Sequence, residues 1–307
     1  CLRALSRGEP RLAGIVPLLL SGGTRLLALL PFSSVQLFGR LIGRTAWIIR
    51  GKSASVTMTN IRHCFPAMAE SDRVTLAKQS LQHTGCLLAE SGIVFRWPAE
   101  KIESLFVEIQ GAELIESAIA EHRGVLLLAP HFGNWDVLSL YLGRFDLTAL
   151  YDPPRIASLE APIRDARART GSILLPIDAK GLRSVYTALN TGKVVGMLPD
   201  QVPSRSAGLY VPFFGQPALT MTFAHRLIRA TKPLVIIGTA LRQARGFRIQ
   251  LRTVDAEIHA PTAEDSLAVM NAAIEELVLE NPAQYQWEYK RFKKRPTGVA
   301  GIYADDD

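Results

Sequence analysis

Apolar and polar positions follow two different rhythms along this chain. From Val35, apolar residues recur at helical spacing (Phe38, Leu41, Ile42, Ala46, Ile49), with Arg40, Arg44 and Arg50 elsewhere around the wheel, which predicts an amphipathic helix. Ser71 reads as the N-cap of a second helix reaching Ser91, with Val74, Ala77, Leu81, Gly85 and Leu88 along its buried side. Val107-Glu108-Ile109 alternates like a short strand, and Ala112 to Glu121 reads as a helix ending before Gly124. The rhythm then changes. Val125 to Ala129 is a continuous apolar run between Gly124 and Pro130, as expected of a strand buried on both faces. Leu147 to Tyr151, Ile173 to Leu175, Val194 to Leu198, Leu234 to Thr239 and Phe247 to Leu251 supply further strands, and helices are expected over 134–142, 162–170, 180–190, 219–230 and 264–280. This alternation predicts an α/β fold, a mostly parallel central sheet covered by helices. No linker or repeat divides it, so 51–307 reads as one domain behind an N-terminal helical arm over 1–50.

Composition narrows the class. With 48% hydrophobic and 21% charged residues in 307, the chain is neither disordered nor a collagen or disulfide scaffold. Cys1, Cys64 and Cys86 are too few and too irregularly spaced for a disulfide framework or a zinc site, which favours a reducing compartment. The net charge of +7 favours an anionic partner. Its distribution matters more than its size, because the first 50 residues hold seven arginines against one acid, Glu9. The apolar runs Leu12–Leu20 and Leu26–Phe32 are interrupted by Ser21-Gly22-Gly23 and by Pro31, short of the roughly 18–20 residues of a bilayer span. An apolar stripe with arginines suits a helix lying in the headgroup region; the plainer alternative is an amphipathic helix packed on the domain. No small-residue cleavage pattern follows the apolar stretch, against a signal peptide, and a start at Cys1 reads as a truncated native start.

Candidate chemistry concentrates in Ala129-Pro130-His131-Phe132-Gly133-Asn134-Trp135-Asp136, which follows a buried strand and opens a helix. Open α/β sheets place ligands at such carboxyl ends. Asn134 is positioned to cap the helix, leaving Asp136 in its first turn with a route back to the His131 imidazole. A carboxylate on Nδ1 would fix the tautomer and leave Nε2 as a general base; the alternative is a buried loop histidine beside an aspartate that merely favours the helix N-terminus. The chain has no G-x-S-x-G elbow, P-loop, G-x-G-x-x-G or H-E-x-x-H. A base without a nucleophile on the protein points to activation of a substrate hydroxyl, with a thioester as a suitable electrophile.

Segment 129–136 resembles the H-x4-[D/E] signature of the lipid A biosynthesis acyltransferases, the lauroyl/myristoyl transferase family that includes phosphatidylinositol mannoside acyltransferases. The similarity extends through Asn60-Ile61 with Phe65-Pro66, Arg167-Ala168-Arg169-Thr170-Gly171, Leu198-Pro199-Asp200-Gln201, Val211-Pro212-Phe213-Phe214-Gly215 and the ending Asn281 to Lys293. The resemblance implies a glycerolipid-acyltransferase-like fold and a membrane-associated O-acyltransferase of lipopolysaccharide biosynthesis at the cytoplasmic face of the bacterial inner membrane. It would move an acyl chain from acyl carrier protein, or from acyl-CoA, to a hydroxyl of a phosphorylated lipid A precursor, without a metal or further cofactor. His131 would be the base and Asp136 its orienter, with Asp standing where many lipid A enzymes carry Glu. The E-G-T-R block of the wider glycerolipid acyltransferases is absent; Asp200-Gln201 with Ser204-Arg205 stands at a similar place in the order.

Several other residues are weighed on the same terms. Gly133 and Asn134 adjoin the base, and Arg164, Arg167 and Arg169 would hold acceptor phosphates or polarise the thioester carbonyl, or else form a solvated basic face. Asp200 and Gln201 end an apolar run and are binding candidates, against a role in a turn. Phe213-Phe214 reads as core. Trp287, Tyr289 and Phe292 among Lys290, Arg291, Lys293, Lys294 and Arg295 would form an interfacial anchor or a solvated helix end. His63, His83, His122, His225 and His259 read as structural. The expected mechanism is direct transfer in a ternary complex without an acyl-enzyme, the oxyanion held by Arg169 or by backbone amides near Gly133. Alternatives are transfer to another glycolipid or an aminolipid, or a non-catalytic anionic-lipid binder. Neither an RNP-type nor a helix-turn-helix pattern supports nucleic-acid binding, and the missing elbow counts against a lipid hydrolase.

Overall fold

The computed structural model describes residues 22–154 and 156–303. The run Leu12–Leu20, together with Cys1, Arg3, Arg7 and Arg11, lies outside them. Nine strands and eleven helices follow in order: α1 (22–29), α2 (Phe32–Ile48), α3 (Lys52–Cys64), α4 (Glu70–Arg96), α5 (Ala99–Glu103), β1 (Phe106–Gln110), α6 (Ala112–Ala120), β2 (Val125–Leu128), α7 (Trp135–Leu142), β3 (Thr148–Tyr151), α8 (Glu160–Ala168), β4 (Ile173–Pro176), α9 (Ala179–Asn190), β5 (Val194–Met197), β6 (Gly208–Phe213), β7 (Gln216–Met221), α10 (Phe223–Thr231), β8 (Leu234–Gln243), β9 (Gly246–Thr253) and α11 (Ala263–Glu280). Seven strands form one sheet in the order β1-β9-β8-β2-β5-β3-β4. Every neighbouring pair is parallel except β8 and β9. The mostly parallel α/β sheet flanked by helices is therefore present. Its central strand β2 is buried at all four positions, which is why its sequence shows no alternation.

Helices cover both faces. One apolar layer joins Leu126 and Leu128 of β2 to α3, α9, α10, α11 and the β6–β7 hairpin; the other joins Val125 and Leu127 to α2, α4, α6 and α7. The crossing of α2 with α4 depends on small residues, because a Cβ on Gly39 would lie 2.4 Å from the Cys86 Cα and one on Gly85 2.1 Å from the Gly39 carbonyl oxygen. Val35, Gln36, Gly39 and Gly43 face this crossing, whereas Leu37, Leu41 and Ile48 stay exposed. Arm residues 32–48 are thus docked on the domain along one face and bare along the other.

The structure corrects several local expectations. Ala69, not Ser71, precedes the first turn of α4, and Ser71 Oγ donates to Asp72 instead. Leu88 lies exposed, and the buried stripe of α4 runs through Ala89, Glu90 and Ile93. Residues 216–221, expected to open a helix at 219, form β7, paired antiparallel with β6. Lys52–Cys64, for which the periodicity above predicts no element, forms the helix α3. The aromatic-basic ending is neither an exposed anchor nor a helix end, since Trp287 is 2% and Phe292 0% exposed. Phe213 is core, as read.

Candidate active site

Leu128 and Met197 are aligned partners in the parallel pair β2–β5, and His131 and Asp200 each lie three residues further on. Equal overshoot from adjacent strand ends brings their side chains together. Asp200 Oδ1 lies 2.8 Å from His131 Nδ1, and Oδ2 accepts the His131 backbone N–H at 2.9 Å. An ionised carboxylate only accepts, so Nδ1 carries the proton and Nε2 keeps its lone pair. The Gln201 carboxamide nitrogen lies 2.9 Å from Nε2 and donates to that lone pair. The basic nitrogen thus faces a polar group that a hydroxyl is able to replace. Asp200 is 3% exposed. Burial alone would raise its pKa; electrostatic attraction to the His131 ring, two hydrogen bonds from His131 and the Arg291 guanidinium outweigh burial and hold it below the usual carboxylate range.

Asp136 does not take the expected place on the imidazole. Asn134 caps α7, its Oδ1 accepting the Val137 N–H at 3.1 Å, and Asp136, in the first turn, turns toward the β3–β4 crossover. There it accepts from Arg167 Nε at 2.7 Å, and that carboxylate is the main reason the Arg167 pKa is raised. Arg169 sits near the same carboxylate, its Nη1 donating to the Ala166 carbonyl while Nε and Nη2 are buried without partners. Burial lowers its pKa, and Asp136 opposes that shift. The hydroxyls of Tyr151 and Thr170 are likewise buried and unpartnered. Two guanidinium groups with spare donors therefore flank Asp136. Arg164 is elsewhere, paired with Glu160 at 3.1 Å and Asp165 at 3.3 Å on the exposed side of α8.

Gly133 adopts φ +65°, and a Cβ there would come 2.3 Å from the Ala240 carbonyl oxygen, so only glycine fits this turn. Its amide, however, is committed. The Phe132, Gly133 and Asn134 amides donate to the Pro130, Gln284 and Ala240 carbonyls at 2.6, 3.0 and 2.9 Å. With the His131 amide on Asp200, the amides of 131–134 are all engaged inside the protein. The amides of 131–134, expected as oxyanion donors alongside Arg169, are therefore already committed, whereas Arg169 keeps donors without partners.

Sequence reading missed the frame behind this loop. Asn134 Nδ2 donates to Glu90 at 2.8 Å, and Arg242 Nε reaches both Glu90 oxygens at 2.8 and 2.7 Å. Glu90 and Arg242 side chains are 1% and 3% exposed. Burial raises the Glu90 pKa; Arg242, Asn134 and Gln36 offset part of that. Gln284 brackets the Arg242 backbone, and the Gln286 N–H donates to the His131 carbonyl at 3.1 Å. Asn60 in turn donates to the Trp287 and Tyr289 carbonyls at 2.6 and 2.8 Å, and Tyr289 Oη accepts the Val202 N–H beside Gln201. The scattered segments around 60, 131, 200 and 285 thus form one hydrogen-bonded assembly. The available signal was a lone acid, Glu90, on the buried stripe of a long helix. Among the described residues no group of three or more His, Cys, Asp and Glu side chains is arranged to hold a metal ion.

Comparison with known proteins matches the sequence to a family. The model for bacterial lipid A biosynthesis acyltransferases matches residues 9–294. The chain belongs to that family. It is 29% identical to a lipid A biosynthesis lauroyltransferase of Escherichia coli K12 over 287 residues, 91% of each protein. It is 26% identical to a palmitoleoyltransferase of the same organism, over 89% of this chain and 90% of the relative, and 24% identical to a lipid A biosynthesis acyltransferase of Haemophilus influenzae, over 89% and 88%. The protein is an O-acyltransferase. Within this lipid A acyltransferase family member, the H-x4-D pattern spans two differently paired side chains, His131 on Asp200 and Asp136 on Arg167.

Proposed function

We propose that this acyltransferase moves a fatty acyl chain from a thioester, acyl carrier protein or acyl-CoA, to a hydroxyl of a phosphorylated lipid A precursor at the cytoplasmic face of the inner membrane. The observation that carries the reaction is His131 with Nδ1 fixed by Asp200 and Nε2 turned to Gln201. The acceptor hydroxyl takes the place of the Gln201 amide on Nε2 and gives up its proton as its oxygen attacks the thioester carbonyl. Asp200 stabilises the imidazolium, and Arg167 and Arg169 bind the tetrahedral oxyanion. Collapse breaks the carbon–sulfur bond, and the imidazolium returns its proton to the departing thiolate. Such a sequence needs no acyl-enzyme.

Membrane association is supported by the bare face of the first two helices. Leu26, Leu29, Leu37, Leu41, Ile48 and Ile49 are exposed, at 67%, 81%, 59%, 48%, 76% and 71%. Arg25, Arg40, Arg44 and Arg50 accompany them, with no acidic residue between Glu9 and Glu70. Among the described residues no helix is long and apolar enough to cross a membrane, so this face suits an interfacial position on anionic lipid.

The test is transfer from labelled acyl carrier protein thioester, with acyl-CoA in parallel, to a lipid A precursor. His131→Ala should abolish it with the fold intact. Unchanged transfer would refute the mechanism, as would an acylated protein trapped by mass spectrometry during turnover. Flotation with phosphatidylglycerol vesicles tests the membrane face, and Leu37→Ser with Leu41→Ser should weaken it.

A further inference from the structure

The sheet edge opposite His131 carries a second concentration of charge that acyl transfer does not use. β2 and β8 are adjacent parallel strands, so the turns that feed them lie side by side, and the Leu234 N–H donates to the Gly124 carbonyl at 2.8 Å. β9 runs antiparallel to β8 and returns the chain to this edge, where the 3-10 turn Ala256–His259 follows. These turns and the end of α10 enclose a concavity of about 300 Å³ lined by Arg123, Ile228, Arg229, Lys232 and His259. Among the described residues no carboxylate lines it.

Several surface arginines are paired with carboxylates: Arg252 with Glu280, Arg248 with Glu108, and Arg144 with Glu103. Among the described residues, none of the four basic groups of this concavity enters an ion pair. The local field leaves a trace on neighbouring imidazoles. Burial and then Arg123 lower the His259 pKa, and burial and then Arg229 lower that of His225. Backbone conformation adds a separate sign. Lys232 ends α10 at φ 45°, and His122 opens the neighbouring turn at φ 53°. Glycine is the default at such a helix end, and a Cβ disfavours the conformation. Lys232 thus holds a backbone conformation that a Cβ disfavours, beside the three other basic groups of the concavity.

We propose that this concavity binds a phosphoryl anion, a phosphate monoester or a diphosphate, held by Arg123, Arg229 and Lys232 with a ring N–H of His259 as a further donor. Guanidinium groups bind phosphate oxygens in pairs, Ile228 provides an apolar floor, and the volume is at the small end for ligand sites. The ligand is a free phosphate compound or the headgroup of a phospholipid, since both present the same oxygens. This site stands apart from the acyl-transfer reading and survives its failure.

Thermal shift and calorimetry on the full chain, with sodium pyrophosphate and inorganic phosphate at constant ionic strength, test the proposal. Saturable stabilisation is expected, and binding should weaken about tenfold or more in Lys232→Gly and in Arg229→Gln. Lys232→Gly relieves the positive φ, so without anion it should melt no lower than the parent, which separates lost binding from lost folding. Vesicle flotation supplies the second arm: Lys232-dependent binding to phosphatidylinositol phosphate vesicles, with no response to free pyrophosphate, assigns a headgroup. Stabilisation that sodium chloride reproduces, or binding that survives both substitutions, overturns the site. So does the absence of any response to free anion and to vesicles alike.

Discussion

Two buried carboxylates grip the same loop and have opposite fates. Asp200 and Glu90 are 3% and 1% exposed, and both hold groups within 131–134. Asp200 faces an imidazole whose far nitrogen reaches a replaceable amide, and its pKa is lowered. Glu90 faces a guanidinium sealed in the interior, and its pKa is raised. Burial pushes both upward; the partners decide the outcome. A carboxylate that takes two hydrogen bonds from one histidine is placed for the proposed proton transfer, whereas one enclosed with Arg242 and Asn134 holds the geometry of the loop. Proximity to the catalytic loop alone does not separate these roles.

The sharpest break in the comparison is Asp200→Asn, which keeps the shape and removes the charge. We expect kcat to fall by about 10³–10⁴-fold with the fold retained, measured by acyl transfer beside circular dichroism. Glu90→Ala should do the reverse. By leaving Arg242 buried and unpaired it should cost about 3–5 kcal/mol of stability, measured by urea denaturation, and a Glu90→Leu/Arg242→Met double variant should recover most of that while the Asn134 tether stays lost.

Acidification sharpens the contrast. The folded pKa of Asp200 is lowered, so the stability it contributes is complete above the ordinary carboxylate range and is lost as pH falls through the folded value. The stability gap between parent and Asp200→Asn should therefore close on acidification, and a gap that widens would contradict the assigned direction. Asp136→Asn, which loosens Arg167 without touching His131, should lower kcat by about 10–10²-fold and leave the pH midpoint of kcat in place. Smallest is Arg164→Ala, an exposed i,i+4 pair, expected to change stability by less than about 0.5 kcal/mol.

How far the chain could be read without its fold follows from these pairings. The run Val125–Ala129, the N-cap Asn134, the base candidate His131 and the basic, half-apolar segment around α2 were legible because each is local: a period, a cap or a charge count over neighbouring residues. Asp200 and Gln201 were visible as polar groups at a strand end, but their destination was not. The sequence by itself determined most strands of the large sheet, most of the helices that flank it and where the carboxyl end of β2 presents a histidine, but not α3 or the β6–β7 hairpin. Only the tertiary structure decided that β5 lies beside β2, so that residues 69 positions apart meet while Asp136, five positions from His131, is turned by the helix toward Arg167. Strand adjacency is set by packing across the whole sheet, and no local pattern encodes it. The same holds for Glu90 and Arg242, 152 positions apart, whose pairing became definite once α4 was laid across the sheet.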